Sequence, residues 1–251
     1  MRSKVLIGNW KMHKSVSEAR SFAKKSVEFV TKAQAHRVII GVAPTYLGLK
    51  AVKQSNPSML VFSQNVHYEN QGAFTGEIST PMLQDIGVDG ALVGHSERRQ
   101  YFKEDNLFCN KKVIKLLSSG MTALYCVGET LGEYELGQTK AVVANQIRVG
   151  LSGIPSLDPT RLIIAYEPVW SIGTGKNASP SIATEVITFI RELLEDMFGT
   201  KISNEIHILY GGYVKPNNIA EYLTMPNIDG ALVGGASLEL ESFETLLNNI
   251  I

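Results

Sequence analysis

The chain has 251 residues, 44% hydrophobic and 19% charged, and its 24 basic and 24 acidic side chains leave a formal net charge of zero. This is an ordinary globular composition with no basic excess. It argues against nucleic-acid binding and against attraction to a membrane surface, so an anionic ligand has to be held by local geometry.

Runs rich in Val, Ile and Leu recur along the chain at 4–9 (KVLIGN), 37–44 (RVIIGVAP), 59–65 (MLVFSQN), 89–94 (DGALVG), 121–128 (MTALYCVG), 161–168 (RLIIAYEP), 205–212 (EIHILYGG) and 229–234 (DGALVG). Each is apolar at successive positions, as a parallel strand covered on both faces requires. Helical patterns separate them at 15–33, 105–119, 137–151, 179–197 and 238–250. The span 179–197 is the clearest. Ser179 is an N-cap, Pro180 takes the first helical position and Gly199 is the stop, while Ile182, Val186, Phe189, Ile190, Leu193 and Met197 form one apolar face. Strands alternating with helices predict a parallel sheet, and eight such units match the (β/α)8 TIM barrel in number and size. The competitor is a doubly wound open sheet. It usually carries a GxGxxG turn after its first strand, where this chain reads GNWKM. No linker-like stretch divides residues 1–251, which predicts one domain.

Cys109 and Cys126 form no CxxC pair and the histidines are scattered, so no metal site and no disulfide scaffold are expected. The N-terminal apolar run is too short for a signal peptide, and no apolar stretch approaches the ~20 residues of a membrane span. The expected setting is the cytoplasm. Residues 66–79 (VHYENQGAFTGEIS) fit neither helix nor strand, and Tyr68 and Phe74 make that loop as suited to a partner surface as to solvent.

In a (β/α)8 barrel, chemistry sits at the C-terminal ends of the strands. Those ends deliver Asn9 and Lys11, His95 and Glu97, Cys126 and Glu129, Glu167, Gly211-Gly212, and Gly234-Gly235. A lone Lys, His or Glu is usually structural or solvated; here a Lys, a His and a Glu converge beside glycine-rich backbone. Glycine turns bring backbone N–H groups close to an anion such as phosphate. A carboxylate can remove a proton from the carbon next to a carbonyl, a His can polarise that carbonyl, and a Lys can stabilise the oxyanion. After Glu167, the residues Pro168, Val169, Trp170, Ser171, Ile172, Gly173, Thr174, Gly175 and Lys176 read as a lid hinged at both ends. The stretch DGALVG occurs twice without a matching repeat elsewhere, which points to shared packing demands rather than a duplicated half.

The segments Gly8–Met12, Gly94–Arg99, Ala165–Trp170, Ile172–Lys176 and Leu232–Leu238 resemble triosephosphate isomerases, in order along the whole chain. The resemblance implies interconversion of dihydroxyacetone phosphate and glyceraldehyde 3-phosphate in glycolysis and gluconeogenesis, without cofactor or metal. It casts Glu167 as the base, His95 as a neutral electrophile, Lys11 as the oxyanion stabiliser and Asn9 as a substrate contact. It puts the phosphate among the N–H groups of Gly173, Tyr213, Gly234 and Gly235, with Glu97 and Cys126 in support. It implies a homodimer in which the 66–79 loop, with Phe74 and Thr75, enters the partner, and Arg98 lies at that contact. Three positions depart from the family pattern: Tyr213 stands where Ser is usual, Ser171 where Ala is common and His13 where Asn is common. Tyr213 loses a hydroxyl of the lid latch, which predicts weaker lid closure or phosphate affinity. An aldolase would need a Schiff-base Lys within a strand or a metal cluster, and neither is visible. A catalytically weakened relative kept as a binding module is the reading from another class. Tyr213 alone favours it, against Lys11, His95 and Glu167.

Overall fold

The computed structural model describes residues 2–172 and 178–251. Among them are eight strands: β1 (Lys4–Asn9), β2 (Val38–Ala43), β3 (Leu60–Ser63), β4 (Gly90–Val93), β5 (Thr122–Val127), β6 (Leu162–Tyr166), β7 (His207–Tyr210) and β8 (Gly230–Val233). Each pairs in parallel with the next, and β8 pairs back onto β1, closing the barrel. The (β/α)8 expectation holds, and the open doubly wound sheet is excluded. β1 coincides with its expected run, and the others are trimmed at their ends.

Alternation of side chains splits the core into two layers. Val5 and Ile7 of β1, Leu124 and Cys126 of β5, Ile163 and Ala165 of β6, and Leu92, Leu209 and Leu232 pack together inside the barrel. Their neighbours Leu6, Ala123, Tyr125, Ile164, Tyr166 and Val233 pack outward against the helices. The strands are thus apolar at successive positions because each parity meets its own hydrophobic layer.

The helix Pro180–Phe198 starts and stops as expected. Ser179 accepts from the Ile182 N–H, and Gly199 at the C-cap has φ 82°. Its buried stripe takes in Val186, Ile190 and Leu193, and also Ile187 and Leu194, while Ile182, Phe189 and Met197 lie at its edge. The expected helix at 15–33 is two, Val16–Lys25 and Val27–Ala35. The break falls at buried Ser26, whose hydroxyl donates to the Ala23 carbonyl and accepts from Asn56. Short helices such as Leu49–Ser55, Thr80–Asp85 and Ser96–Phe102 were not anticipated, because fewer than about three turns carry too little periodicity to recognise. Residues 66–79 hold no helix and only one isolated bridge, His67 with Ser79. Among the described residues no helix is long and apolar enough to cross a membrane.

The repeated DGALVG is a packing device. Asp89 Oδ2 accepts from the Val61 N–H of β3 at 2.7 Å, and Asp229 Oδ2 from the Ile208 N–H of β7 at 2.9 Å. Each aspartate thereby holds the start of the preceding strand. Lys53 neutralises the first, and Arg2 and Arg191 the second. The glycine after each aspartate lets the next strand approach. A Cβ on Gly90 would lie 2.2 Å from the Thr122 carbonyl oxygen, and one on Gly230 would lie 1.8 Å from that of Val5. In both copies the Leu enters the barrel and the Ala and Val face the helices.

Gly90→Ala and Gly230→Ala are therefore each expected to destabilise the fold by about 3 kcal/mol, since backbone cannot yield as a flexible side chain can. Gly132→Ala is the control. A Cβ there meets nothing within 4 Å, and in the exposed helix Leu131–Glu135 it should stabilise by up to about 1 kcal/mol. Thermal and denaturant unfolding of the three variants check this; a Gly230→Ala chain as stable as the parent would refute the packing argument.

Candidate active site

The C-terminal end of the barrel opens into a cavity of about 540 Å³. Its lining includes Asn9, Lys11, His95, Glu167, Tyr213 and Gly234-Gly235. Closure of the sheet brings these together: Lys11 lies just past β1, His95 past β4, Glu167 past β6, Tyr213 past β7 and the glycine pair past β8.

Lys11 has a left-handed conformation, φ 52°, which a residue with a Cβ rarely adopts. Its surroundings fix it there. The Lys11 N–H donates to Asn9 Oδ1 at 3.1 Å, and Gln64 Nε2 donates to the Lys11 carbonyl at 2.7 Å and to that of Ala43 at 2.9 Å. The Lys11 ammonium then meets Glu97 Oε1 at 2.6 Å. A strained backbone over-determined by its neighbours sets the side chain's direction.

His95 caps the helix Ser96–Phe102: its Nδ1 accepts from the Glu97 N–H at 3.2 Å. An imidazole that accepts at Nδ1 carries its proton on Nε2. That nitrogen faces Glu167 Oε1 at 3.2 Å. The other carboxylate oxygen, Oε2, accepts from the Ser96 N–H at 3.0 Å. Glu167 is 2% exposed and His95 5%. The carboxylate thus rests on one helical N–H and one imidazole N–H. Buried beside it, the Cys126 thiol is held well above its ordinary range, by burial first and then by the Glu167 charge. It is a neutral thiol hydrogen-bonded to the Glu167 carboxylate rather than a nucleophile.

The segment after Glu167 is anchored at its start. Val169–Ser171 form a single 3-10 turn, the Val169 N–H donates to the Glu129 carbonyl, and the Ser171 hydroxyl donates to the Pro168 carbonyl. Trp170 Nε1 donates to Glu129 Oε1 at 2.8 Å, and the Tyr166 hydroxyl donates to the same carboxylate at 3.2 Å. Burial raises the Glu129 carboxyl above its ordinary value, and the Trp170 and Tyr166 hydrogen bonds pull against that. Gly173, Thr174, Gly175 and Lys176 of the expected lid lie outside the described residues, as does Gly173 of the expected phosphate set.

The residues expected at a partner contact lie elsewhere on this face. Phe74 is 41% exposed and Thr75 is exposed. Arg98 Nε donates to Glu104 Oε1 at 2.5 Å. Arg98 also lines a second hollow of about 420 Å³, together with Met12, Tyr101 and Phe102. Several site neighbours were not anticipated. Gln64 and the Ser96 N–H carry no signal in sequence. Arg99, bonded to the carbonyls of Gly94 and Cys126, could have been suspected from the HSERR run. Gln146, which bridges the N–H and carbonyl of Gly128, lies in a helix where it reads as surface.

The geometry defines a class: a (β/α)8 barrel with a carboxylate and an imidazole in contact on the wall of one cavity, beside a glycine pair. Similarity to known proteins narrows it. A family profile described as triosephosphate isomerase matches residues 4–250. Triosephosphate isomerases from Carboxydothermus hydrogenoformans (47% identical over the full length of both chains), Pelodictyon phaeoclathratiforme (46%, 98% of each) and Caldanaerobacter subterraneus subsp. tengcongensis (46%, 99% of this chain and 100% of the relative) are similar throughout. The chain belongs to the triosephosphate isomerase family.

Glu129 gives the test of the anchored hinge. Glu129→Ala removes the acceptor of both Trp170 and Tyr166 inside the protein, and is expected to cost about 2 kcal/mol of stability. The chain has two tryptophans, and Trp10 is fully buried. A red shift of the fluorescence should therefore report Trp170 leaving its seat. Unchanged emission would mean that Glu129 does not hold the segment.

Proposed function

We propose that the chain interconverts dihydroxyacetone phosphate and D-glyceraldehyde 3-phosphate, with Glu167, His95 and Lys11 carrying the chemistry. One observation carries the reading: Glu167 Oε1 and His95 Nε2 lie 3.2 Å apart on the wall of one cavity with Lys11. The Glu167 carboxylate leaves the Ser96 N–H and takes a proton from the carbon beside the carbonyl. The C–H electron pair becomes the C=C bond of an enediolate, and the carbonyl π pair moves onto oxygen. The Nε2–H of His95 and the Lys11 ammonium stabilise that oxygen. The neighbouring hydroxyl then passes its proton to that oxygen and its O–H pair forms the new C=O, while the C=C pair takes the proton back from Glu167 at the former carbonyl carbon, with no net oxidation and no leaving group. Asn9 contacts the substrate, and the phosphate takes the backbone of Tyr213, Gly234 and Gly235. Glu97 supports Lys11, and Cys126 packs beside Glu167. The segment 168–176 serves as the lid that keeps water from the enediolate.

A coupled assay of triose phosphate interconversion tests this. Glu167→Ala is expected to lower kcat by about 10²- to 10⁴-fold, the usual worth of a positioned base. An unaffected kcat would remove Glu167 from its role.

The same reading makes the chain a cytoplasmic homodimer. In the 66–79 loop residues 69–77 are exposed, Phe74 and Thr75 among them, and in a dimer they enter the hollow lined by Met12, Arg98, Tyr101 and Phe102 on a second copy. Met12 is 91% exposed, Tyr101 67% and Phe102 65%, a cluster of apolar surface that supports burial by a partner. Sedimentation at micromolar concentration should give a dimer, and Thr75→Arg should shift it toward monomer. A parent chain that sediments as a fully active monomer would refute the assignment.

A further inference from the structure

The loop after β7 places two side chains at the rim of the cavity, Tyr213 and Lys215, and both belong to its lining. The Lys215 ammonium lies over the Tyr213 ring, 4.7 Å from its centroid. Asn218 staples the turn that carries both. Its Nδ2 donates to the Tyr213 carbonyl at 3.0 Å, and its Oδ1 accepts from the Lys215 N–H at 2.8 Å. Val214 between them is buried. A long lysine side chain at a surface is ordinarily free to wander; here the backbone is fixed and the aromatic face holds the head group.

Charge gives the arrangement its meaning. Among the described residues two lysines line the cavity, Lys11 and Lys215. Lys11 is already paired with Glu97 at 2.6 Å, and the Glu167 carboxylate adds a negative charge of its own. Lys215 has no carboxylate partner among the described residues. A phosphate dianion entering this cavity meets backbone dipoles at Gly234 and Gly235 and, in Lys215 of the same lining, a cation that no described carboxylate compensates.

We propose that Tyr213 is a platform that seats Lys215 over the phosphate end of the cavity, making Lys215 a specificity-determining residue that reads the dianionic handle of the substrate. The inference rests on the phosphate site assigned above. It also reverses the sign expected from sequence for Tyr213: the ring supplies a docked cation in exchange for the hydroxyl, so its removal weakens phosphate binding.

Calorimetric titration with inorganic phosphate is the direct test, because it needs no turnover. Lys215→Met and Lys215→Gln should each bind phosphate about fivefold more weakly than the parent, the size expected for one partly solvated ion pair. Tyr213→Ser should weaken binding in the same direction, and Tyr213→Phe, which keeps the ring, should restore it. Added salt should weaken the parent's binding more than that of Lys215→Met. In turnover, the preference for glyceraldehyde 3-phosphate over unphosphorylated glyceraldehyde, as a ratio of kcat/KM values, should fall in Lys215→Met. Parent-like phosphate affinity in both Lys215 variants, or tighter binding in Tyr213→Ser, overturns the proposal. A parent chain that binds phosphate but does not isomerise would refute the catalytic reading and leave this one standing.

Discussion

Closure of the parallel sheet between β8 and β1 is the constraint on which the site depends. The register Val5 to Gly230 through Gly8 to Val233 brings the two chain-distant strands together. The absence of a Cβ on Gly230 lets the Val5 carbonyl oxygen come within what would be 1.8 Å of it. Closure sets Lys11, past the end of β1, beside Gly234 and Gly235, past the end of β8. It also sets His95 and Glu167 on the same rim. Without it the groups of the proposed chemistry would lie along an open edge, solvated and unable to converge.

On that frame each group of the proposed chemistry is held by a partner of a different kind. Strain in the Lys11 backbone is contained by Asn9 and Gln64. The imidazole of His95 is fixed by a helical N–H, which leaves the proton on the nitrogen facing the cavity. Glu167 rests on the Ser96 N–H, near a segment whose start is tied down through Trp170 and Glu129. The proposed base and the proposed electrophile are thereby held in contact, 3.2 Å apart.

The two DGALVG stretches show how far a sequence can be read. Their repetition expresses one local problem solved twice, an aspartate bracing the preceding strand and a glycine admitting the next. Beyond them the two copies part ways, with His95 after the first and Gly235 after the second. The helix Pro180–Phe198 was legible because its cap, stop and apolar face all lie within it. The break at Ser26 was not, since it depends on Asn56, thirty residues away, reaching the same hydroxyl. Gln64 and the Ser96 N–H carry no local signal for the same reason: a glutamine and a backbone amide acquire a role only from the groups opposite them.

The sequence by itself determined the eight alternating units, the strand cores, the long helix with its ends and the place of Asn9, Lys11, His95 and Glu167 at strand ends. These are recorded in local periodicity and in residue types whose chemistry is intrinsic. Only the tertiary structure decided which nitrogen of His95 faces Glu167, that Glu97 neutralises Lys11, that Glu129 anchors Trp170 and that Lys215 lies over Tyr213. Each of these is a distance between groups far apart in the chain or set by a turn's particular course, and such distances exist only once the barrel has closed.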